Sequence, residues 1–398
     1  MFKFDFEVDD IDTEIDSFLK QTDESCSEKN VQRPSVSDGG ESDSIKEPVG
    51  ALVELTMEHL LNTLPLQISY SPLEIPLSSS SGPYHLARRD LFDARFQVIS
   101  EDQDSSSGFA DVASNKERLR FLDTPSDLVP GVYEGGLKTW ECSLDLVDYL
   151  DSNLEEKDLR GKRVLELGCG TGVPSLYLLQ KMFSSPSTSS KTEMCLQDYN
   201  PSTLELVTFP NVLLAWYMSP ASISFRNSQS SSDPEAEDAV EYPLLDPTTT
   251  GDLPITSVLK DAFVRSLKEY GLELRFFGGS WKSFKHDSTR FDIVLTSETI
   301  YRTESVPELI DVMWNATHRR SSSISEHLSK VTISEPAAPL ILVAAKVFYF
   351  GVGGGVDEFV GAVRKWVENH QGSRYEHDVK TVWEKNDGVG RRIVRVVW

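Results

Sequence analysis

The stretch Arg163-Val-Leu-Glu-Leu-Gly-Cys-Gly-Thr-Gly172 constrains this 398-residue chain more than any other. An apolar run over residues 164–167 carries one acid, Glu166, and leads into three glycines at alternate positions, Gly168, Gly170 and Gly172. Residues 175–182 follow with the composition of a helix. Strand, glycine-rich turn and helix in that order open a nucleotide-binding α/β unit. Glycine at all three positions leaves the backbone without Cβ atoms where a ligand approaches closely.

Spacing narrows the choice of ligand. A dinucleotide fingerprint reads G-x-G-x-x-G. Counted from Gly168, its third glycine falls on position 173, which is Val173. The G-x-G-x-G seen here, with Glu166 ahead of it, resembles motif I of the S-adenosylmethionine (SAM) methyltransferases. That cofactor has no pyrophosphate and needs no helix N-terminus as a phosphate seat. Taken alone, the stretch also fits a tight turn in some other α/β protein.

Length alone allows two or three domains. A hydrophobic content of 39% is low for one packed body, so part of the chain is expected to stay unpacked. The formal charge of −24 argues against direct DNA binding, because phosphate contacts need a basic footprint, but it suits a basic protein partner. Cys26, Cys142, Cys169 and Cys195 show no C-x-x-C pairing, so neither a disulfide framework nor a cysteine zinc site is expected. The seven histidines are scattered without ligand spacing, and no metal is expected. The most apolar run, residues 340–351, is too short for a membrane span and carries Lys346. The first residues resemble neither a signal nor a transit peptide. Cytoplasm and nucleus are the expected compartments, and a monomer the expected state.

Residues 1 to about 49 hold 14 acidic and 5 basic residues and read as a disordered acidic tail, with Phe2, Phe4 and Phe6 as a docking motif, an edge strand or neither. Residues 50–130 read as a small α/β extension packed on the core. Within it, 52–61 suggests a short helix, and 66–70, 73–77 and 91–99 suggest strands separated by Pro and Ser. A helix is expected from near Thr139, with Trp140, Leu144, Val147 and Leu150 on one face. Strands follow at 191–198, 272–277, 291–297 and 340–349, the last uniformly apolar as in a sheet centre buried on both sides. Helices are expected at 202–207, 307–315 and 356–369. Segments 183–190, 227–253 and 319–337 read as disordered insertions. Residues 378–385 and 391–398 alternate around Asn386-Asp-Gly388, a hairpin signal. The fold class is therefore α/β, a Rossmann-like seven-strand class I methyltransferase sheet with a C-terminal antiparallel hairpin, spanning 131–398.

With these pieces in order, residues 50 to 398 resemble the histidine protein methyltransferase family. The resemblance sits in residues 133–142, 165–172, 198–200, 279–281 and 297–301, of which the first and last are the most particular. It implies enzymes that methylate one histidine of a large-subunit ribosomal protein with SAM as donor. It also implies a cofactor pocket lined by Thr139, Trp140, Glu141, Cys142, Ser143, Glu166, Gly168, Gly170, Gly172, Asp198, Tyr199, Asn200, Gly279, Ser280, Trp281 and Ser297. Asp198, at the end of the second strand, is placed to accept hydrogen bonds from ribose hydroxyls. Ser280 departs from the acid associated with its motif.

Methyl transfer from a sulfonium is an in-line displacement, so the protein must align nucleophile, methyl and sulfur. Imidazole, with a pKa near 6.5, already offers a lone pair at neutral pH, whereas lysine must first lose a proton. A histidine methyltransferase therefore needs less a strong base than a group that selects the tautomer and places the ring. Glu298, Tyr301 and Glu141 are the candidates for that hydrogen bond; each is equally readable as a cofactor contact or a structural bridge. Three alternatives stand beside this reading: a lysine methyltransferase of the same superfamily, a nicotinamide oxidoreductase disfavoured by Val173, and a non-catalytic ribosome-assembly module.

Overall fold

The structure is a computed structural model and describes residues 52–104, 136–187, 190–230, 240–284, 290–318, 338–350, 353–371 and 378–398. Its strands are β1 Val53–Leu55, β2 Gln67–Ile75, β3 Tyr84–Arg89, β4 Arg163–Leu167, β5 Thr192–Asp198, β6 Gly251–Pro254, β7 Leu272–Gly278, β8 Ile293–Ser297, β9 Leu340–Lys346, β10 Asp378–Lys385 and β11 Arg391–Val397. The main sheet has the order β1-β7-β5-β4-β8-β9-β11-β10. Strands β7, β5, β4, β8 and β9 are mutually parallel. The hairpin β10–β11 joins β9 antiparallel. These are the seven expected strands. An eighth, β1, adds antiparallel to β7 with Val53 opposite Gly278.

Helices cover both faces, which is why the central strands are buried almost throughout. On one face lie α1 Glu141–Asn153, α2 Val173–Met182, α3 Phe209–Tyr217 and α4 Ser257–Glu269, packed in one apolar cluster with Val164 and Leu196. On the other lie α5 Val306–Thr317 and α6 Val356–Gln371, packed with Leu165, Leu167 and Val343. The period of two along β4 thus sends Glu166 to the α2 face among apolar neighbours. The chain leaves β4 in one direction towards β5 and β7, then returns to β8 and β9 on the other side. The switch point between β4 and β8 is where such sheets open a crevice at their carboxyl ends.

Several expectations for the N-terminal extension need correction. Residues 91–99 are not a strand but the start of the helix Leu91–Asp104. Ala94 and Val98 are buried while Phe92 and Phe96 are exposed, so the helical period overrode the β-favouring aromatics. Residues 66–70 and 73–77 are not split: β2 runs through Pro72 as one strand. The segment 52–61 divides into β1 and a short helix, Met57–Asn62, capped by Thr56. The insertion 227–253 is ordered at both ends, where the helix Ile223–Ser230 finishes and β6 begins. A second sheet, β3-β2-β6, ties the extension to that returning segment. The tail 1–49 and the loop 319–337 lie outside the described residues.

Candidate active site

The sequence-derived residues converge along the carboxyl edge of the parallel strands. Gly168 follows β4, Asp198 ends β5, Gly279 follows β7 and Ser297 ends β8. Backbone and side-chain hydrogen bonds join these ends to one another. The Asp198 carboxylate accepts the Gly170 N–H at 2.9 Å and the Asn200 N–H at 3.0 Å, and the Asp198 carbonyl accepts the Gly279 N–H at 2.9 Å. The buried Gln197 amide oxygen accepts from Trp281 Nε1 at 2.8 Å and from the Gly168 N–H at 3.3 Å; its Nε2 donates to the Gly279 carbonyl at 2.7 Å. Ser280 caps the short turn Trp281–Ser283, accepting the Lys282 N–H at 3.3 Å. Asn200 is buried, and Tyr199 and Ser297 are half-buried.

The motif glycines have a reason in the fold beside the one expected. All three adopt positive φ, +61° at Gly168, +50° at Gly170 and +76° at Gly172, where a Cβ is disfavoured. Their missing side chains face protein. A Cβ on Gly168 would meet Thr299 Cγ2 at 2.6 Å, and one on Gly170 would meet the Gly136 backbone at 3.2 Å. The turn is therefore clamped between residue 136 on one side and the segment after β8 on the other. Thr208, at the end of a π-turn over Leu204–Thr208, donates to the Gly170 carbonyl at 2.6 Å and holds it from below.

Beneath this turn Glu166 is fully buried. One carboxyl oxygen accepts the Ser175 N–H at 3.1 Å and the Ser175 hydroxyl. The other, Oε1, has no hydrogen-bond partner among the described residues. Burial drives its pKa up to about 8, with Asp198 adding to the rise and the Ser175 bonds opposing it. A neutral carboxyl with one unpaired oxygen under a glycine turn is a polar group suited to a polar ligand atom or a water.

The second half of the site surrounds Glu298. It is the one non-glycine residue with positive φ, +56°, among the described residues. Such a conformation costs on the order of 1–3 kcal/mol and persists only where its surroundings enforce it. Glu298 Oε1 accepts the Cys142 N–H at 3.3 Å, and Oε2 accepts the Tyr349 hydroxyl. Burial raises its pKa; hydrogen bonds from Cys142 and Tyr349 and the Lys346 charge oppose that rise, and Glu141 adds to it. Tyr301 lies with its ring centroid 6.3 Å from that of Tyr349. Glu141 is paired with Lys346 at 3.4 Å, and the same Lys346 ammonium lies 5.2 Å from the Trp140 ring centroid. Thr139 shares a hydrogen bond with Thr171 at 3.1 Å, and Ser143 donates to the Trp140 carbonyl at 2.6 Å. Residues 133–135 of the upstream motif lie outside the described residues.

Sequence reading missed Gln197, Thr208, Lys346 and Tyr349 as parts of this arrangement. Lys346 had a signal, a lone cation closing a uniformly apolar strand; Gln197, polar inside a buried strand, had a similar one. Among the described residues no helix is long and apolar enough to cross a membrane, and no three His, Cys, Asp or Glu side chains group as a metal site.

A doubly covered parallel sheet in this order, with an acid and a glycine turn after its first parallel strand and a second acid at the end of the next, defines a class I SAM-dependent methyltransferase. No protein-family model matches the chain. It is 30% identical over 283 residues to histidine protein methyltransferase 1 of Saccharomyces cerevisiae, covering 69% of this chain and 67% of that one. The Schizosaccharomyces pombe protein of the same name is 29% identical over 363 residues, 87% of this chain and 85% of that one. A Mus musculus homolog is 30% identical over 288 residues, 68% of this chain and 62% of that one. This chain belongs to the histidine protein methyltransferase family. Among solved structures it is similar to magnesium protoporphyrin IX methyltransferase from Synechocystis with bound SAM, at 11% identity and a TM-score of 0.30 over 77% of this chain and 90% of that one. An rRNA methyltransferase from Streptomyces viridochromogenes gives 15% identity and a TM-score of 0.30 over 69% and 93%. Scores this low add nothing to the strand order, which defines the fold by itself.

Proposed function

We propose that this protein transfers a methyl group from SAM to one histidine of a basic large-subunit ribosomal protein. Family membership supports the histidine acceptor. The excess of acidic over basic residues, with a formal charge of −24, supports attraction of a basic substrate. The observation that carries the site assignment is Glu298, strained at positive φ and bonded by Cys142 and Tyr349 beside the glycine turn.

SAM supplies, when bound, an activated methyl on a sulfonium sulfur. The residues present fit such a donor: the glycine turn, the Asp198 carboxylate at the end of β5, the segment 279–281, and the Glu166 oxygen that has no partner among the described residues. Glu298 has acceptor capacity beyond its bonds to Cys142 and Tyr349. In our reading that capacity takes the N–H of the acceptor imidazole, fixes its tautomer and turns the other nitrogen's lone pair to the methyl. After transfer the ring carries a positive charge, which the carboxylate stabilises until the proton leaves to solvent. Tyr301 lines the same side of the ring. The expected setting is the cytoplasm and nucleus, where ribosomal proteins are made and assembled, and the expected state a monomer.

The test is incubation of the purified protein with labelled SAM and large-subunit ribosomal proteins, followed by peptide mapping. Label on a histidine of one ribosomal protein is expected. Label confined to lysine, or absent altogether, overturns the proposal.

A further inference from the structure

Several backbone hydrogen bonds tie down the described residues on either side of the turn after β9. Tyr349 N–H donates to the Gly354 carbonyl at 3.0 Å, Gly353 N–H to the Tyr349 carbonyl at 3.2 Å, and Val356 N–H to the Val347 carbonyl at 3.2 Å. Phe348 and Gly355 form a β-bridge across it. The turn also sits directly on the segment that follows β8. A Cβ on Gly354 would lie 2.4 Å from the Ile300 carbonyl oxygen and from the Tyr301 carbonyl carbon. Within this frame the side chains alternate: Phe348 and Phe350 are exposed, while Tyr349 is buried and points inward to Glu298. The Tyr349 oxygen in turn accepts the Lys346 N–H at 3.3 Å, which directs its own proton to the carboxylate.

We infer that Tyr349 is a positioning residue for methyl transfer: its hydroxyl, held by the Lys346 N–H, orients the Glu298 carboxylate towards the acceptor histidine. This deepens the proposed function and rests on it. The chemistry asks for a carboxylate that is fixed and ionised. The Cys142 N–H and the Tyr349 O–H each engage one Glu298 oxygen and the Cys142 thiol also bonds the carboxyl, which together fix its plane and make its remaining acceptor capacity directional. The charged or titratable groups that face Glu298 are Cys142 and Glu141 from α1, and Lys346 and Tyr349 from the β9 end. Of these, Cys142, Tyr349 and Lys346 favour its ionised form and Glu141 disfavours it. Removing the Tyr349 hydroxyl therefore leaves the carboxyl easier to protonate as well as freer to turn.

The test uses the full-length enzyme, SAM and large-subunit ribosomal proteins, comparing wild type, Tyr349→Phe, Glu298→Gln and the double variant. For Tyr349→Phe the expected result is a fall of about 100-fold in kcat, the scale of a misplaced reacting group, with KM for the ribosomal proteins little changed. Affinity for S-adenosylhomocysteine by calorimetry should match wild type, and the acid limb of the kcat/KM pH profile should move to higher pH. In the Glu298→Gln background the same substitution should cause no further loss, because Tyr349 acts through Glu298. A Tyr349→Phe enzyme with wild-type kcat and an unmoved acid limb overturns the inference, as do losses that simply multiply in the double variant. If wild type itself places no methyl on histidine, the proposed function falls; if wild type is active and Tyr349→Phe equals it, the inference falls alone.

Discussion

Replacing Glu166 with Gln tests how burial controls the floor of the site. The carboxyl is fully enclosed, and its pKa stands at about 8 against an ordinary value of 4.5. A gap of about 3.5 pH units corresponds to on the order of 5 kcal/mol at about 1.4 kcal/mol per unit. The sign follows from which state holds the proton more tightly. The folded protein does, so the contribution is fully present below pH 4.5, declines as pH rises, and is lost once pH passes about 8. Gln keeps the shape and an acceptor for Ser175 but cannot ionise. It leaves its own amide N–H₂ where Oε1 has no partner, a fixed cost of about 1–3 kcal/mol at every pH. Chemical denaturation at pH 5, 6, 7 and 8.5 should therefore show Glu166→Gln less stable than wild type at pH 5. The gap should close and then reverse towards pH 8.5. Parallel stability curves across that range would refute the reasoning, because they would mean that the native carboxyl titrates as it does in the unfolded chain.

Other substitutions probe the remaining braces. Asp198→Ala leaves the Gly170 and Asn200 N–H groups without their acceptor, and should cost about 2–4 kcal/mol of stability while sharply weakening SAM binding; unchanged SAM affinity by calorimetry would show that no cofactor contact passes through this residue. Gln197→Leu removes the acceptor shared by Trp281 and Gly168 and should lower both the melting temperature and SAM affinity, and a wild-type melt would contradict that. Gly354→Ala forces a Cβ against the backbone at residues 300 and 301, and thermal melts should show a loss of about 1–3 kcal/mol. Glu141→Gln breaks a pair whose acid is more than half exposed, so its effect on stability should stay within about 1 kcal/mol; a larger loss would mean that the pair with Lys346 carries a structural role.

The central sheet was legible because each parallel strand is an apolar run that ends in a polar or glycine-rich turn, and a strand buried on both faces has no other way to be written. The place of the candidate site was legible too, since the residues singled out fall at the carboxyl ends of the parallel strands. What escaped was set by contacts distant in sequence. Residues 91–99 have the β-branched and aromatic content of a strand, and only Ala94 and Val98 packing against Leu206 and Val207 makes them a helix. Nothing local in residues 67–70 announces pairing with 251–254. Tyr349 looked like one aromatic among three, and its inward turn depends on the bridge between Phe348 and Gly355. The glycines were read correctly as a turn but for an incomplete reason, because Thr299 and Gly136, which crowd them, arrive from other parts of the chain.

The edge strand β1 has a consequence for how the protein is made. Glu54 binds Arg275 at 2.8 Å across 221 residues of sequence, and Val53 pairs with Gly278. At synthesis rates of about 5–20 residues per second, the amino-terminal strand waits roughly ten to forty-five seconds for its partner to leave the ribosome. Until then the backbone groups of β1 that β7 will cover have no partner in the sheet. Once β1 closes, the edge on that flank is a strand of only three residues, a short template for strands of other molecules. The first strand of the sheet is thus placed only after β4, β5 and β7 exist, while β8, β9, β10 and β11 are still to be made.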